Sequence, residues 1–101
     1  MKATKSEIRD IALDILLNTP HPPNQKAAFD LAIAEALVRK TGQGQRRDEL
    51  VRENWVTFNE VFWDLMLDRI ITVGIDSAHA HPPWFRLHSE VRENLRRAKQ
   101  A

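Results

Sequence analysis

The chain contains no cysteine, which excludes a disulfide framework and any zinc site built on thiolates. No apolar run approaches the roughly 20 residues needed to cross a bilayer. The start, Met1-Lys2-Ala3-Thr4-Lys5, is charged and leads into an amphipathic segment instead of the apolar core of a signal peptide. A cytoplasmic protein without a membrane partner is the expectation. Acidic and basic residues nearly balance, 14 against 15, for a formal net charge of +1, so composition alone does not point to nucleic acid. Neither a nucleophile elbow nor a zinc-protease pair is present. The glycines of Thr41-Gly42-Gln43-Gly44-Gln45 lack a preceding strand and a Lys-Ser/Thr ending, so they do not form a phosphate loop. Acid pairs such as Asp10 with Asp14, or Glu60 with Asp64, sit one helical turn apart, a spacing that serves solubility without implying acid–base catalysis. The expected protein is not an enzyme and takes no cofactor or small-molecule substrate.

What remains is ordinary for one soluble domain: 101 residues, 43% hydrophobic and 29% charged. Thr4 and Glu7 have capping-box spacing, and a first helix is expected from Thr4 to about Leu17. Ile8, Ile11, Ala12 and Ile15 make its main apolar face, with Leu13 and Leu17 beyond it. Asn18-Thr19-Pro20-His21-Pro22-Pro23 ends this helix, because each proline disfavours helix in the residue before it. Asn24 is placed to cap a second helix, about Gln25 to Lys40. That helix carries Phe29, Ile33, Ala36 and Leu37 on one side and Leu31, Ala34 and Val38 on another. Two apolar sides suit either a central helix or one that meets a second molecule. Leu13, Leu17, Leu31 and Val38 are accordingly the candidate homodimer residues.

A short third helix is expected from Arg46 to Glu53, with Asn54-Trp55-Val56 turning the chain into a helix that starts at Thr57. Thr57 and Glu60 form a second capping-box pair, and Phe58, Val61, Phe62 and Leu65 fall on one face. The β-branched run Ile70-Ile71-Thr72-Val73-Gly74-Ile75 then reads as a strand, and Trp84-Phe85-Arg86-Leu87 as its return. Pro82-Pro83 lies in the loop between them, and Phe58, Phe62, Leu65, Phe85 and Leu87 are expected in one core. From Ser89 a last helix shows Val91, Leu95 and Ala98 as a narrow stripe. The fold class is therefore mainly α, about five helices with a two-stranded β-hairpin.

The helix opening at Thr57, its end at Asp68-Arg69-Ile70-Ile71 and the returning segment Pro82-Pro83-Trp84-Phe85-Arg86-Leu87 resemble the recognition helix and wing of winged helix-turn-helix proteins. Arg69 stands where many of those proteins have glycine. The likeness is to small winged-helix modules of bacterial proteins, and it covers about Arg46 to Glu90. It implies a single winged-helix-like domain over 1–101: supporting helices in 1–45, helix-turn-helix plus wing in 46–90, and a C-terminal helix in 89–101.

Residues at ~100° intervals put Phe58, Val61, Phe62, Leu65 and Arg69 inward, leaving Asn59, Glu60, Trp63, Asp64 and Leu67 on the opposite face. A helix that reads DNA presents Arg, Lys, Asn or Gln to base edges. Here Glu60, Asp64 and Asp68 outnumber Arg69, and Asn59 alone suits base reading. Exposed Trp and Leu ringed by acids match a protein interface instead, unless the chain's own termini cover them. The first expectation is thus a protein–protein interaction or adaptor subunit using Asn59, Glu60, Trp63, Asp64 and Leu67. The alternative is a DNA-binding regulator touching phosphates through Arg46, Arg47, Arg86, Arg92, Arg96 and Arg97. Those arginines also suit a plain solvated face, helped by Glu93 and Arg97 at i,i+4. His79, His81 and His88 are the one metal-like constellation, with a polar wing tip as the simpler explanation.

Overall fold

A computed structural model describes residues 3–42 and 46–100, apart from the side chains of 98–100. Among them are five helices and one hairpin: α1 Lys5–Asn18, α2 Lys26–Thr41, α3 Arg47–Glu53, α4 Trp55–Leu67, β1 Ile71–Val73, β2 Phe85–Leu87 and α5 Val91–Gln100. The first helix starts as its local chemistry dictates. Thr4 Oγ1 accepts from the Glu7 amide at 3.1 Å, and Glu7 Oε1 accepts from the Thr4 amide at 3.1 Å. The Thr4 amide holds the Glu7 carboxyl below its usual range. The inward face is rotated from the expected one: Ile8, Ala12 and Leu16 are buried, while Ile11 and Ile15 are half-buried.

The second helix starts differently from the sequence expectation. Gln25, not Asn24, is its N-cap, and no side chain caps it. Asn24 serves the sheet instead, its carbonyl accepting from the Phe85 amide at 2.9 Å. Gln25 bridges Trp84 antiparallel, and the Lys26 amide donates to the Pro83 carbonyl at 3.0 Å. The segment before α2 thereby lies along the returning strand. The helix ends at Gly42 (φ 67°), whose amide donates to Val38 O at 2.9 Å.

No three-residue turn separates α3 from α4. Asn54 alone interrupts them, and its carbonyl already accepts from the Phe58 amide at 2.9 Å. The fourth helix therefore opens at Trp55, and Thr57 lies inside its first turn instead of capping it. Asn54 is 5% exposed; its Nδ2 donates to Leu50 O at 2.9 Å and its Oδ1 accepts from the Ala3 amide at 3.1 Å. The break is thus built on a contact with the far end of the chain.

Helix α4 ends in a Schellman motif: the Arg69 amide donates to Met66 O at 3.1 Å and the Ile70 amide to Leu65 O at 2.9 Å. Arg69 takes the left-handed conformation this motif needs (φ 57°), and its side chain is exposed, not inward as its helical angle suggested. An L-residue there is strained by roughly 1–2 kcal/mol relative to its right-handed form. Arg69→Gly is expected to raise stability by about 0.5–1 kcal/mol, glycine's extra unfolded-state freedom offsetting part of the gain. Urea denaturation checks this; a loss of stability would mean the Arg69 side chain makes a contact worth more than the strain.

The strands pair antiparallel with Ile71 opposite Leu87, Thr72 opposite Arg86 and Val73 opposite Phe85. They are shorter than the expected runs. At Gly74 (φ 85°) the backbone leaves the ladder so close to residue 80 that a Cβ would sit 2.9 Å from the Ala80 Cα. Phe29, Phe62 and Phe85 form the centre of the core, with ring centroids 5.2 Å (Phe29–Phe85) and 5.3 Å (Phe62–Phe85) apart. Phe58 and Leu65 are buried in the same cluster and Leu87 packs against it, as expected. Val91 and Leu95 dock α5 on this core, and Asn94 Nδ2 fastens it to Arg69 O at 2.7 Å. The Ala98 side chain lies outside the described residues. Among the described residues one acid is buried: desolvation pushes the Asp30 carboxyl above its usual range, against the pull of Lys26 Nζ at 2.7 Å.

Candidate functional site

Helix α4 is apolar almost all round. Its core face is Phe58, Val61, Phe62 and Leu65. On the opposite side Trp55, Val56, Trp63 and Leu67 are exposed by 61%, 51%, 44% and 79%. Trp55, Asn59, Trp63 and Leu67 follow one another at four-residue steps, so they form a ridge along the helix. Val56 lies on the same side as Trp63, seven residues and two turns away. Trp63 is braced from below, its ring edge-on to Phe62 with centroids 5.8 Å apart. Most exposed apolar residues on a protein surface are scattered singly; here two exposed apolar pairs, Trp55 with Val56 and Trp63 with Leu67, share one side of a helix with the half-buried Asn59 between them.

The sequence located Asn59, Trp63 and Leu67 on this face but missed Trp55 and Val56, which it assigned to a turn. Their four- and seven-residue spacing from Asn59 and Trp63 was the available signal. The other two residues assigned to the face, Glu60 and Asp64, lie at its border and are engaged by α1. Lys5 Nζ is 2.6 Å from Asp64 Oδ2 and 3.5 Å from Glu60 Oε2, and Arg9 Nη2 is 2.9 Å from Asp68 Oδ2. The hydrogen bond to Asp64 leads the causes that raise the Lys5 ammonium above its usual range. These pairs lie in solvent and contribute little to stability. Their effect on the surface is larger: three acids that seemed to ring the apolar residues are matched by two bases.

The arginines assigned to phosphates are all exposed but dispersed. Arg46 is 3.3 Å from Asp48 and Arg47 is 3.6 Å from Glu35. Arg96 and Arg97 lie 3.4 and 3.8 Å from Glu93. Arg86 and Arg92 pair with no acid among the described residues. Of the residues assigned to a dimer through the first two helices, Leu13, Leu31 and Val38 are half-buried, Leu13 and Val38 against the core. Leu17 alone is exposed, by 43%. The apolar sides of α1 and α2 are therefore largely taken up inside the fold.

Two of the three hairpin-region histidines, His79 and His88, have local partners for their side chains. Asp76 Oδ1 accepts from the amides of Ala78 and His79 at 2.9 and 2.8 Å and lies 3.1 Å from His79 Nδ1. The His79 contacts are the main cause holding the Asp76 carboxyl below its usual range. His79 also stacks edge-on against Trp84, centroids 4.6 Å apart. His88 Nδ1 accepts from the Glu90 amide at 3.0 Å as α5 begins. Among the described residues no three His, Asp or Glu side chains gather as a metal site would require. Among them too, no helix is long and apolar enough to cross a membrane. No protein-family model matches this chain, and no curated protein or solved structure is significantly similar to it.

Proposed function

We propose that the chain is a non-enzymatic, winged-helix-like interaction module that docks another protein, or its own copy, through the outer face of α4. The observation that carries this reading is the exposure of Trp55, Val56, Trp63 and Leu67 along one side of α4, away from the core. Large aromatic side chains clustered on a rigid helix are what interface anchors consist of. The winged-helix part is supported by the passage from α4 straight into the β1–β2 hairpin and by the bridge from Gln25 to Trp84 beside it. The one-residue interruption at Asn54 departs from a helix-turn-helix corner.

A DNA-binding reading has one observation in its favour: Arg86 and Arg92 are exposed and unmatched by acids among the described residues. Two assays separate the readings. For docking, Leu67→Glu abolishes co-purification of the native partner while Arg92→Glu retains it. For DNA, the isolated chain binds mixed-sequence duplex with steep salt dependence, and reversing Arg86 and Arg92 removes it. The docking reading predicts the first pattern and no duplex binding at low salt.

A further inference from the structure

The stripe on α4 has features that select among occupants. Helix α4 has 13 residues, so the stripe is about 20 Å long. Read in opposite directions, it complements itself. With a two-fold axis level with Val61, Trp55 meets Leu67 of a second copy and Asn59 meets Trp63. Each bulky ring then faces a smaller side chain, and the Asn59 amide faces the indole N–H that Trp63 brings.

Charge permits the same partner. The border of the stripe is a row of internal ion pairs, Lys5 with Glu60 and Asp64 and Arg9 with Asp68. Two copies meeting there bring both signs together, and a chain of net charge +1 has little overall self-repulsion. Area agrees as well. At the exposures above, Trp55 and Trp63 each leave roughly 100–150 Å² in solvent. With Val56 and Leu67 the pair of copies covers on the order of 900 Å², beyond the ~800 Å² of most lattice contacts. Asn59 and the ion-pair rows bring the total to about 1,200 Å², where specific interfaces begin.

We infer that the partner for this face is a second copy of the chain, with α4 laid antiparallel on α4. The inference rests on the docking role of α4 and adds the identity of the occupant. Sedimentation of the full chain from micromolar to millimolar concentration tests it. The expected result is a dimer whose dissociation constant rises roughly 30-fold or more in Leu67→Glu. That side chain is 79% exposed, so the variant should keep its helical circular dichroism. A wild-type monomer at millimolar concentration overturns the inference, as does a dimer indifferent to Leu67→Glu. If the chain is monomeric but Leu67→Glu abolishes capture of a different protein, self-pairing fails while the docking role stands. If Leu67→Glu alters neither, both fail.

Discussion

Replacing Phe85 with alanine is expected to cost about 3–5 kcal/mol of stability, the range for emptying a buried aromatic site. Phe85 is fully buried, and its ring touches Phe29 of α2 on one side and Phe62 of α4 on the other. Its amide donates to Asn24 O at 2.9 Å, and it stands opposite Val73 in the ladder. One side chain thus joins the hairpin to two helices. The backbone bonds survive truncation, but the ring contacts do not. For a chain of this length the loss corresponds to a melting temperature roughly 12–40 °C lower. Calorimetry of the variant checks this. A fall under about 5 °C would mean that the hairpin does not share the helical core.

Asn54→Ala is expected to cost about 1–3 kcal/mol, more than the modest helix propensity gained with alanine. The lost amide leaves the buried Ala3 N–H without the Oδ1 acceptor 3.1 Å away and removes the second donor to Leu50 O. Two consequences separate this from general destabilisation. The amide of Ala3 should exchange with solvent much faster, and α3 should become free to run straight into α4. Nuclear magnetic resonance of the variant would report both. Unchanged exchange at Ala3 would show that Asn54 does not anchor the start of the chain.

What the sequence disclosed and what it concealed divide along the range of the interactions. The Thr4–Glu7 box spans three residues and was legible. So was the end of α4, where Asp68-Arg69-Ile70-Ile71 marks a helix stop even with arginine in the glycine position. The break at Asn54 was misplaced because its amide is fixed by Ala3, 51 residues away. Thr57 and Glu60 have capping spacing that the helix overrides by starting earlier at Trp55. Asn24 looked like a cap because nothing local shows that the Phe85 amide needs its carbonyl. The face of α1 turned from Ile15 toward Leu16 for a similar reason, since packing partners decide between neighbouring leucine and isoleucine positions.

The candidate site was half legible. Trp63 and Leu67 follow from helical angle alone. Trp55 and Val56 did not, because a residue in a presumed turn has no face. The acids beside them were read as a negative rim, whereas Lys5 and Arg9 reach them from α1. That pairing becomes visible only once α1 and α4 are known to lie side by side.

That the outer face of α4 docks a second copy of the chain is checked by the three indole N–H resonances in proton–nitrogen spectra recorded over a range of chain concentrations. Trp55 and Trp63 lie on that face, while Trp84 stacks on His79 in the hairpin and serves as an internal reference. With α4 laid on α4, the Trp55 and Trp63 signals shift or broaden together as the concentration rises and Trp84 stays fixed. Movement of Trp84 and the α5 amides on association, with Trp55 and Trp63 unchanged, would contradict it.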